Sequence, residues 1–363
     1  MAKLMLVVPD LDCGGAQRVM LTLTANLART HHEIFFVIIR GGGPLTGELP
    51  EQVSSITLLP RWTPRFLLPP LALLCMLIKL RKQKPAAILT SITGANLVTA
   101  VARKLACPRA RLVMRHENTA PNLKGRLRTF LVSCLYPTAN KIITVSEAAA
   151  ADLVNISKIP QPLIEIIPNP VDPEKLNADA GANTGNVWLD LPDLPVILSI
   201  GRLVPTKDFG TLINAFYRLT RHRDLRLVIL GEGPQRKLLE ADVRELGLDK
   251  QVSMPGVVAN PYPWIRACSL FVLSSRWEGL PVALLEAMAL GANIVSTDCR
   301  SGPRELLDGG RYGRLVPVGD PVRLANAMQE ALATPYNPAP VIQRARDFAP
   351  NKVAEAHLAH LLT

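Results

Sequence analysis

Short runs of apolar residues alternate along the chain with longer segments in which apolar residues recur every three or four positions. The short runs are LMLVVPD, EIFFVIIR, AAILTS, RLVMRH, KIITVS and IEIIPN in the first half, and VILSIGR, RLVIL, LFVLSS and ANIVST in the second. Continuous apolar strands separated by helices are typical of parallel sheets that helices cover on both faces. The pattern predicts an α/β fold.

The alternation is interrupted in residues 168–195, where Pro, Asn, Asp and Gly are frequent and little periodicity remains. We interpret this stretch as a linker between two Rossmann-like domains, over residues 1–170 and 171–345. Residues 346–363 are expected to form a C-terminal helix, for which a return to the N-terminal domain is one placement. Because doubly wound sheets bind ligands beyond the carboxyl ends of their strands, we expect the active site in a cleft between two facing domains.

The composition is that of a globular protein, with 48% hydrophobic and 20% charged residues among 363. The six cysteines form no CxxC pair and do not cluster near histidines, which argues against a disulfide framework or a zinc site. The N-terminus leads directly into a predicted strand and lacks a signal-peptide cleavage site. We therefore expect a cytoplasmic location.

The net charge of +11 is concentrated in the first half of the chain. Residues 1–180 carry 21 Lys and Arg against 12 Asp and Glu, whereas residues 181–363 carry 20 against 18. The asymmetry indicates an anionic partner such as nucleic acid, a phosphorylated substrate or an acidic membrane surface, unless it is only a solvated basic face. The densest basic stretch, 103–128, has no aromatic interleaving and no nucleic-acid motif, so we expect no nucleic-acid partner.

The most apolar stretch of the chain is FLLPPLALLCMLIKL, over residues 66–80. It is shorter than the roughly 20 residues that span a bilayer and contains two prolines, so a transmembrane helix is not expected. We favour a core-facing helix that starts after Pro70. The alternative, compatible in part, is an interfacial helix whose trailing basic residues contact lipid phosphates: Lys79, Arg81, Lys82 and Lys84.

Two strand-end loops have residues suited to a diphosphate. Gly14 and Gly15 follow the first strand and open a helix, where backbone N–H groups can approach a phosphate, although such turns also occur for steric reasons. In GRLVPTKD, Arg202 and Lys207 lie five residues apart, so a guanidinium fork and an ammonium can converge on one diphosphate.

The segment RWEGLPVALLE carries the most specific signal. A buried strand precedes it, Glu278 lies in the following turn, and Pro281 suits the first position of an apolar helix that contains Glu286. Carboxylates eight residues apart would repel a diphosphate but can accept hydrogen bonds from vicinal hydroxyls. We expect one to hold a sugar and the other a ribose.

His116 ends another predicted strand and is a candidate for binding a sugar or moving a proton, with a structural histidine as the plain alternative. No DxD pair, HxxxH pattern or acidic cluster suggests a divalent metal. The charge of a leaving diphosphate would then be neutralised by Arg202, Lys207, backbone amides and helix dipoles.

These motifs, in this order, resemble family 4 of the retaining nucleotide-sugar glycosyltransferases with the GT-B fold. The likeness covers almost the whole chain, and SSRWEGLPVALLEAMALGANIVSTD is its most specific block. The resemblance implies that Glu278, with the backbone of Gly279 and Leu280, holds the donor sugar and that Glu286 binds the ribose. It also implies the following contacts: Arg202, Lys207 and Gly15 at the diphosphate, and His116 at the donor sugar.

Two blocks depart from known patterns. GEGPQR lacks the third glycine of a dinucleotide fingerprint, since Arg236 stands in its place. RSGPREL resembles a family loop that lies near the diphosphate, and the resemblance implies that Pro303 stands in place of a glycine, so that a backbone N–H is missing there.

The sequence and this resemblance together predict a metal-independent enzyme without a cofactor, which transfers a hexose or N-acetylhexosamine from a UDP-sugar, and the resemblance implies that configuration is retained. The expected acceptor is a lipid-linked saccharide or a polysaccharide of the cell surface, such as lipopolysaccharide or capsule. We expect peripheral contact with the anionic inner face of the cell membrane. The rivals are a sugar-nucleotide epimerase or soluble-acceptor synthase of the same fold, and a non-catalytic, membrane-associated subunit that binds nucleotide sugars.

Overall fold

A computed structural model describes residues 1–12, 14–117, 126–190, 194–221 and 223–363. The chain forms two compact units, and each is described by itself. The first consists of Met1–Pro170 together with Pro350–Thr363, and the second of Val171–Ala349.

The first unit is built on a seven-stranded parallel sheet with the order β3-β2-β1-β4-β5-β6-β7. Its strands are β1 (Lys3–Val8), β2 (Glu33–Arg40), β3 (Ser54–Leu59), β4 (Ala87–Ser91), β5 (Arg111–His116), β6 (Lys141–Thr144) and β7 (Ile164–Ile166). Its helices are α1 (Gly15–Leu27), α2 (Leu68–Gln83), α3 (Thr93–Ala106), α4 (Arg126–Leu135), α5 (Glu147–Ser157) and α15 (Pro350–Leu362).

The second unit repeats this plan with six parallel strands in the order β10-β9-β8-β11-β12-β13. The strands are β8 (Val196–Ile200), β9 (Arg226–Leu230), β10 (Val252–Gly256), β11 (Leu270–Leu273), β12 (Ile294–Thr297) and β13 (Arg314–Val316). The helices are α6 (Pro173–Asp179), α7 (Val187–Asp190), α8 (Phe209–Thr220), α9 (Arg236–Glu245), α10 (Tyr262–Ala267), α11 (Val282–Ala289), α12 (Pro303–Leu306), α13 (Pro321–Ala333) and α14 (Ala339–Ala345). The prediction of two Rossmann-like α/β domains is confirmed.

The stretch interpreted as a linker contains more structure than its composition suggested. Helix α6 begins at Pro173, and the Asp172 carboxylate caps it by accepting a hydrogen bond from the Lys175 amide at 3.0 Å. A second short helix, α7, follows. The local signal was the DPEK sequence, which pairs an N-cap aspartate with a proline at the first helical position.

Helix α2 contacts the core with the side that faces it, and half-buried residues on both flanks of that side pack against the same core: Leu68, Leu73, Cys75 and Leu77. Ala72, Met76 and Leu80 are buried and pack against the first sheet, while most of the other apolar residues remain half-buried or exposed. The helix begins at Leu68, before its two prolines, because the first turn does not need their N–H groups. The predicted start of this helix, after Pro70, is therefore wrong. The prediction that the helix faces the core is correct for the side that carries Ala72, Met76 and Leu80. Among the described residues, every helix is too short or too polar to span a bilayer.

Helix α15 belongs to the first unit and packs on α1, β4 and β5. The Arg111 guanidinium donates a hydrogen bond to the His360 carbonyl at 2.6 Å, which ties the helix to β5. The preceding turn, Arg346–Phe348, belongs to the second unit, where the Val171 amide donates to the Phe348 carbonyl at 2.9 Å. The chain thus leaves the first unit near residue 170 and re-enters it at residue 350.

Candidate active site

The loop after β8 places Arg202 and Lys207 on the second unit. Arg202 is exposed two residues beyond the strand, and the Lys207 side chain is 22% exposed. The Lys207 methylenes lie over Gly201, where an added Cβ would come within 3.4 Å of Cδ and Cε. The lysine side chain therefore folds back against the start of its own loop, at ordinary van der Waals distance from Gly201.

The GEGP loop after β9 holds this basic loop in place. The Leu203 amide donates to the Glu232 carbonyl at 2.9 Å. A Cβ on Gly231 would lie 1.9 Å from the Gly201 carbonyl oxygen, and one on Gly233 would lie 2.3 Å from that of Leu203. Because only glycine permits this backbone approach, the GEGP motif serves to pack the two loops together.

Lys207 and Glu278 form the centre of the site. Lys207 Nζ donates to Glu278 Oε1 at 2.5 Å, and Ser275 Oγ donates to the same oxygen at 2.5 Å. The Glu278 side chain is only 10% exposed. Ser274 Oγ anchors the Lys207 carbonyl at 2.8 Å. Two serines directly after β11 therefore fix the cation and the carboxylate beside each other, although these lie 71 residues apart in sequence.

The turn after Glu278 is supported from behind by the RSGPREL segment. Ser301 Oγ donates to the Gly279 carbonyl at 2.7 Å. Gly302 has a φ of +88°, and a Cβ there would lie 2.6 Å from Pro281 Cδ. Pro303 opens helix α12, where its missing N–H costs nothing. The segment thus braces the backbone of the turn that contains Gly279 and Leu280.

Glu286 lies inside the apolar helix α11 and is 9% exposed. The Tyr262 hydroxyl donates to its Oε1 at 3.4 Å. The helix begins at Val282, so Pro281 precedes it with an extended ψ of 108° and does not occupy the first helical position as predicted. Through its hydrogen bond with Tyr262, the buried Glu286 carboxylate is held near the start of α10.

The Gly14-Gly15 turn lies in the first unit, where Gly15 is the first residue of α1 and Gly14 precedes it in an extended conformation. Gln17 Nε2 donates to Asp10 Oδ1 at 2.8 Å across the turn. Gly43, with a φ of +142°, packs its backbone against Leu11, since a Cβ would meet the Leu11 carbonyl oxygen at 2.2 Å. The turn is therefore held by a second glycine-dependent loop.

His116 ends β5 in the same unit and is 1% exposed. Its Nδ1 lies 3.2 Å from the Tyr136 hydroxyl, which accepts a hydrogen bond from Asn96 Nδ2 at 3.0 Å. Burial raises the pKa of Tyr136, so this hydroxyl keeps its proton. The imidazole is thus oriented by a buried tyrosine and amide.

Arg115, the residue before His116, is completely buried in a polar cluster that the sequence did not indicate. Its guanidinium donates to Glu117 Oε1 at 3.1 Å and to Asn169 Oδ1 at 2.8 Å, and its third contact is His357 Nε2 at 2.5 Å. His357 Nδ1 lies 2.7 Å from the Val353 carbonyl, which can only accept, so Nδ1 carries the proton and Nε2 accepts from Arg115. Burial, and secondarily the Arg115 charge, hold the pKa of His357 well below 6.5.

Arg276 and Trp277 precede Glu278 but face another part of the second unit. They help to line a cavity of about 480 Å³ together with Asp208, whose carboxylate pairs with Arg276 Nε at 3.0 Å. Across the described ranges, no three His, Cys, Asp or Glu side chains are grouped so that they could hold a metal ion.

Comparison with known proteins decides the family. The model of Glycosyltransferase Family 4 matches residues 13–175, and that of Glycosyl transferases group 1 matches residues 194–334. An N-acetylgalactosamine-N,N'-diacetylbacillosaminyl-diphospho-undecaprenol 4-alpha-N-acetylgalactosaminyltransferase from Campylobacter jejuni is 31% identical over 92% of this chain and 90% of its own length. The chain belongs to glycosyltransferase family 4. It is a transferase whose two parallel sheets form the GT-B fold.

Other relatives agree with this assignment. A lipopolysaccharide 1,6-galactosyltransferase from Salmonella typhimurium is 34% identical over 34% of this chain and 36% of its own length. Among solved structures, Anabaena HepE in complex with UDP and glucose superposes with a TM-score of 0.84 at 20% identity, over 99% of both chains. At that identity the structural likeness establishes the fold alone.

Proposed function

We propose that this glycosyltransferase moves a hexose or N-acetylhexosamine from a UDP-sugar to a lipid-linked saccharide or polysaccharide acceptor in cell-surface glycan biosynthesis. The observation that carries the proposal is the joint placement of Lys207 and Glu278. A cation for a diphosphate and a carboxylate for sugar hydroxyls are held 2.5 Å apart at the end of the second sheet. In this proposal the first unit meets the acceptor, and the second unit binds the nucleotide sugar.

Each donor group has a matching side chain. Arg202 and Lys207 bind the diphosphate, and the three N–H donors of Lys207 allow it to contact phosphate while one stays on Glu278. The Glu278 carboxylate accepts hydrogen bonds from the sugar hydroxyls, and the backbone N–H groups of Gly279 and Leu280 donate hydrogen bonds to the sugar.

Three further residues are assigned roles by the proposal. In the second unit, Glu286 accepts hydrogen bonds from the ribose hydroxyls. In the first unit, Gly15 provides a backbone amide for the diphosphate, and His116 contacts the transferring sugar.

The reaction needs neither a metal nor a cofactor. The bond between the sugar's anomeric carbon and the leaving diphosphate breaks while the acceptor oxygen bonds to that carbon from the same face. The acceptor's proton passes to the leaving phosphate oxygen, so anomeric configuration is retained without a protein base. Arg202 and Lys207 stabilise the negative charge that grows on the leaving group.

The relatives support a membrane-linked acceptor. The Campylobacter protein is named for a diphospho-undecaprenol substrate and an N-acetylgalactosaminyl transfer, and the Salmonella protein is named for lipopolysaccharide. The basic first half of this chain complements an anionic surface. We propose that the enzyme works in the cytoplasm, in peripheral contact with the inner face of the cell membrane.

A mass-spectrometric screen of purified protein tests the proposal, with a panel of nucleotide sugars offered to lipid-diphosphate saccharides and to polysaccharide fragments. We expect a glycosylated product from one UDP-sugar and a loss of rate of about 10²-fold or more in Lys207→Ala and Glu278→Ala. The matched controls are Lys237→Ala and Glu245→Ala, both exposed on α9. Absence of product with every donor would overturn the function, and full activity in both site variants would overturn the site.

A further inference from the structure

The outer face of α2 presents a continuous apolar stripe to solvent. Leu67, which precedes the helix, and Leu71, Leu74 and Ile78 within it are 40%, 37%, 54% and 59% exposed. Their spacing of four, three and four residues places them within an arc of about 60° at about 100° per residue. The buried residues Ala72, Met76 and Leu80 lie on the opposite side of the helix. The four exposed side chains of the stripe therefore point away from the hydrophobic core.

Two aromatic residues extend the stripe at its N-terminal end. Trp62 is 81% exposed and Phe66 is 78% exposed, both in the segment that leads into α2. Single exposed apolar side chains are ordinary on a protein surface, but six large ones within 17 residues form a patch of the kind that contacts another surface. Because α2 follows β3, this aromatic end lies at the carboxyl edge of the first sheet, the edge that also carries Gly15 and His116.

Basic residues flank the stripe at both ends. Arg65 is exposed beside Phe66, and Arg81 and Lys82 continue the same helical face one turn beyond Ile78. The wider segment has the same sign, since residues 52–116 contain eleven Lys or Arg and no Asp or Glu. The face therefore combines an apolar centre with cationic ends.

We propose that this face, defined by Trp62, Phe66, Leu67, Leu71, Leu74, Ile78, Arg81 and Lys82, is the surface that docks the enzyme onto an anionic lipid bilayer. An interfacial helix buries its apolar side chains at the boundary of headgroups and acyl chains, while its basic residues contact lipid phosphates. The stripe runs for about 16 Å along the helix axis, which suits a helix lying in the membrane plane.

Charge distinguishes this occupant from a second copy of the chain. Two copies that met through this face would bring Arg81 and Lys82 of each against a surface without acidic residues, which is unfavourable. A bilayer with anionic headgroups instead supplies both the apolar layer and the opposite charge. The inference rests on the proposed function, because it gives the enzyme a defined orientation towards a membrane-embedded acceptor.

Vesicle flotation of the full chain tests the proposal. The probes are vesicles of phosphatidylglycerol with phosphatidylcholine, and vesicles of phosphatidylcholine alone. The apolar variant is Leu74→Ser with Ile78→Ser, matched by a control of Ile156→Ser with Val187→Ser, which are exposed elsewhere. The charge variant is Arg81→Gln with Lys82→Gln, matched by Lys237→Gln with Lys250→Gln on the second unit.

We expect the wild type and both controls to float with anionic vesicles and to bind phosphatidylcholine vesicles more weakly. The apolar variant should bind vesicles about tenfold or more weakly, since two exposed aliphatic side chains that would enter the bilayer are replaced by serine. The charge variant should bind anionic vesicles about tenfold or more weakly, because each basic residue contributes about fivefold to binding. Its binding to phosphatidylcholine vesicles should not change. Binding of either variant equal to that of the wild type would overturn the proposal, as would a wild-type dimer that the apolar variant converts to monomer.

A second measurement does not depend on the double variants folding. Lipids brominated on their acyl chains should quench part of the tryptophan fluorescence of the wild type, and Trp62→Phe should lose that quenchable part. Quenching that persists in Trp62→Phe would overturn the proposed orientation. Transfer to a short, water-soluble acceptor should proceed at the wild-type rate in every variant. If the wild type transfers to no acceptor yet floats as described, the proposed function fails while the docking surface stands.

Discussion

Replacing His357 with glutamine tests the buried contact between α15 and β5. In the folded protein the imidazole is neutral, because burial and the adjacent Arg115 guanidinium hold its pKa well below the ordinary value of 6.5. In the unfolded chain the same imidazole takes up a proton once the pH falls below about 6.5. Since the unfolded state then binds more protons, acid must destabilise the first unit through this residue.

The size of the effect follows from the two protonation states. The stabilising contribution is fully present above pH 6.5 and declines as the pH falls below that value. Between pH 7.5 and pH 5.5 the free energy of unfolding should fall by about 1.4 kcal/mol on account of His357 alone. Glutamine has no titrating group, and its amide oxygen can still accept from Arg115. His357→Gln should therefore lack this part of the pH dependence.

Hydrogen exchange of the amides in β5 and α15, followed by mass spectrometry at both pH values, measures the opening of the first unit directly. We expect the opening free energy of the wild type to fall by about 1.4 kcal/mol more than that of His357→Gln over this interval. The matched control, His31→Gln, changes an exposed histidine of the same unit and should follow the wild type. Equal pH dependence in the wild type and His357→Gln would refute the reasoning.

Three further predictions concern the second unit. Gly302→Ala should lower its stability by about 1–3 kcal/mol, because a Cβ at this positive φ meets Pro281, and an unchanged melting temperature would count against the bracing role of this loop. Ser275→Ala removes a hydrogen bond to Glu278 and should lower kcat/KM for the donor about tenfold, whereas an unaltered value would show that Ser275 does not position the carboxylate. Transfer in EDTA should match transfer in Mg²⁺, and restoration by added metal would contradict the electrostatic account.

The central strands could be predicted from the sequence, and three outer strands could not. Strands β3, β10 and β13 each lie at an edge of their sheet. Continuous apolar runs mark strands that are covered on both faces, whereas β3 has several exposed or half-buried positions and β10 contains a register shift near its proline. The strand β13 has only three residues. These three strands are defined by pairing with a neighbour, which their local sequence does not encode, whereas the fourth edge strand, β7, was predicted from the apolar run IEIIPN.

The candidate site shows a similar division. Motifs on single loops and in α11 made Arg202, Lys207, Glu278 and Glu286 candidates, because each segment carries its own pattern of charges and glycines. The direct contact between Lys207 and Glu278 depends on β8 and β11 being neighbours in the sheet.

The cluster around Arg115 was missed for the same reason, since His357 lies 242 residues further along the chain. The packing role of the GEGP loop could not be predicted from the sequence either, because this loop packs against backbone atoms of another loop. A local sequence motif indicates which chemical groups a segment carries, whereas the pairing of strands in the sheet determines which of these groups come into contact.

Calorimetric titration with UDP and with the UDP-sugar selected by the screen tests the division of labour between Lys207 and Glu278 most directly. Lys207→Ala should weaken both ligands by about 10- to 100-fold, because it removes a charge-assisted contact with the diphosphate they share. Glu278→Gln should weaken the UDP-sugar and leave UDP nearly unchanged, because only the sugar contacts that carboxylate. Equal losses for UDP and UDP-sugar in Glu278→Gln, or unaltered binding of both in Lys207→Ala, would contradict the account.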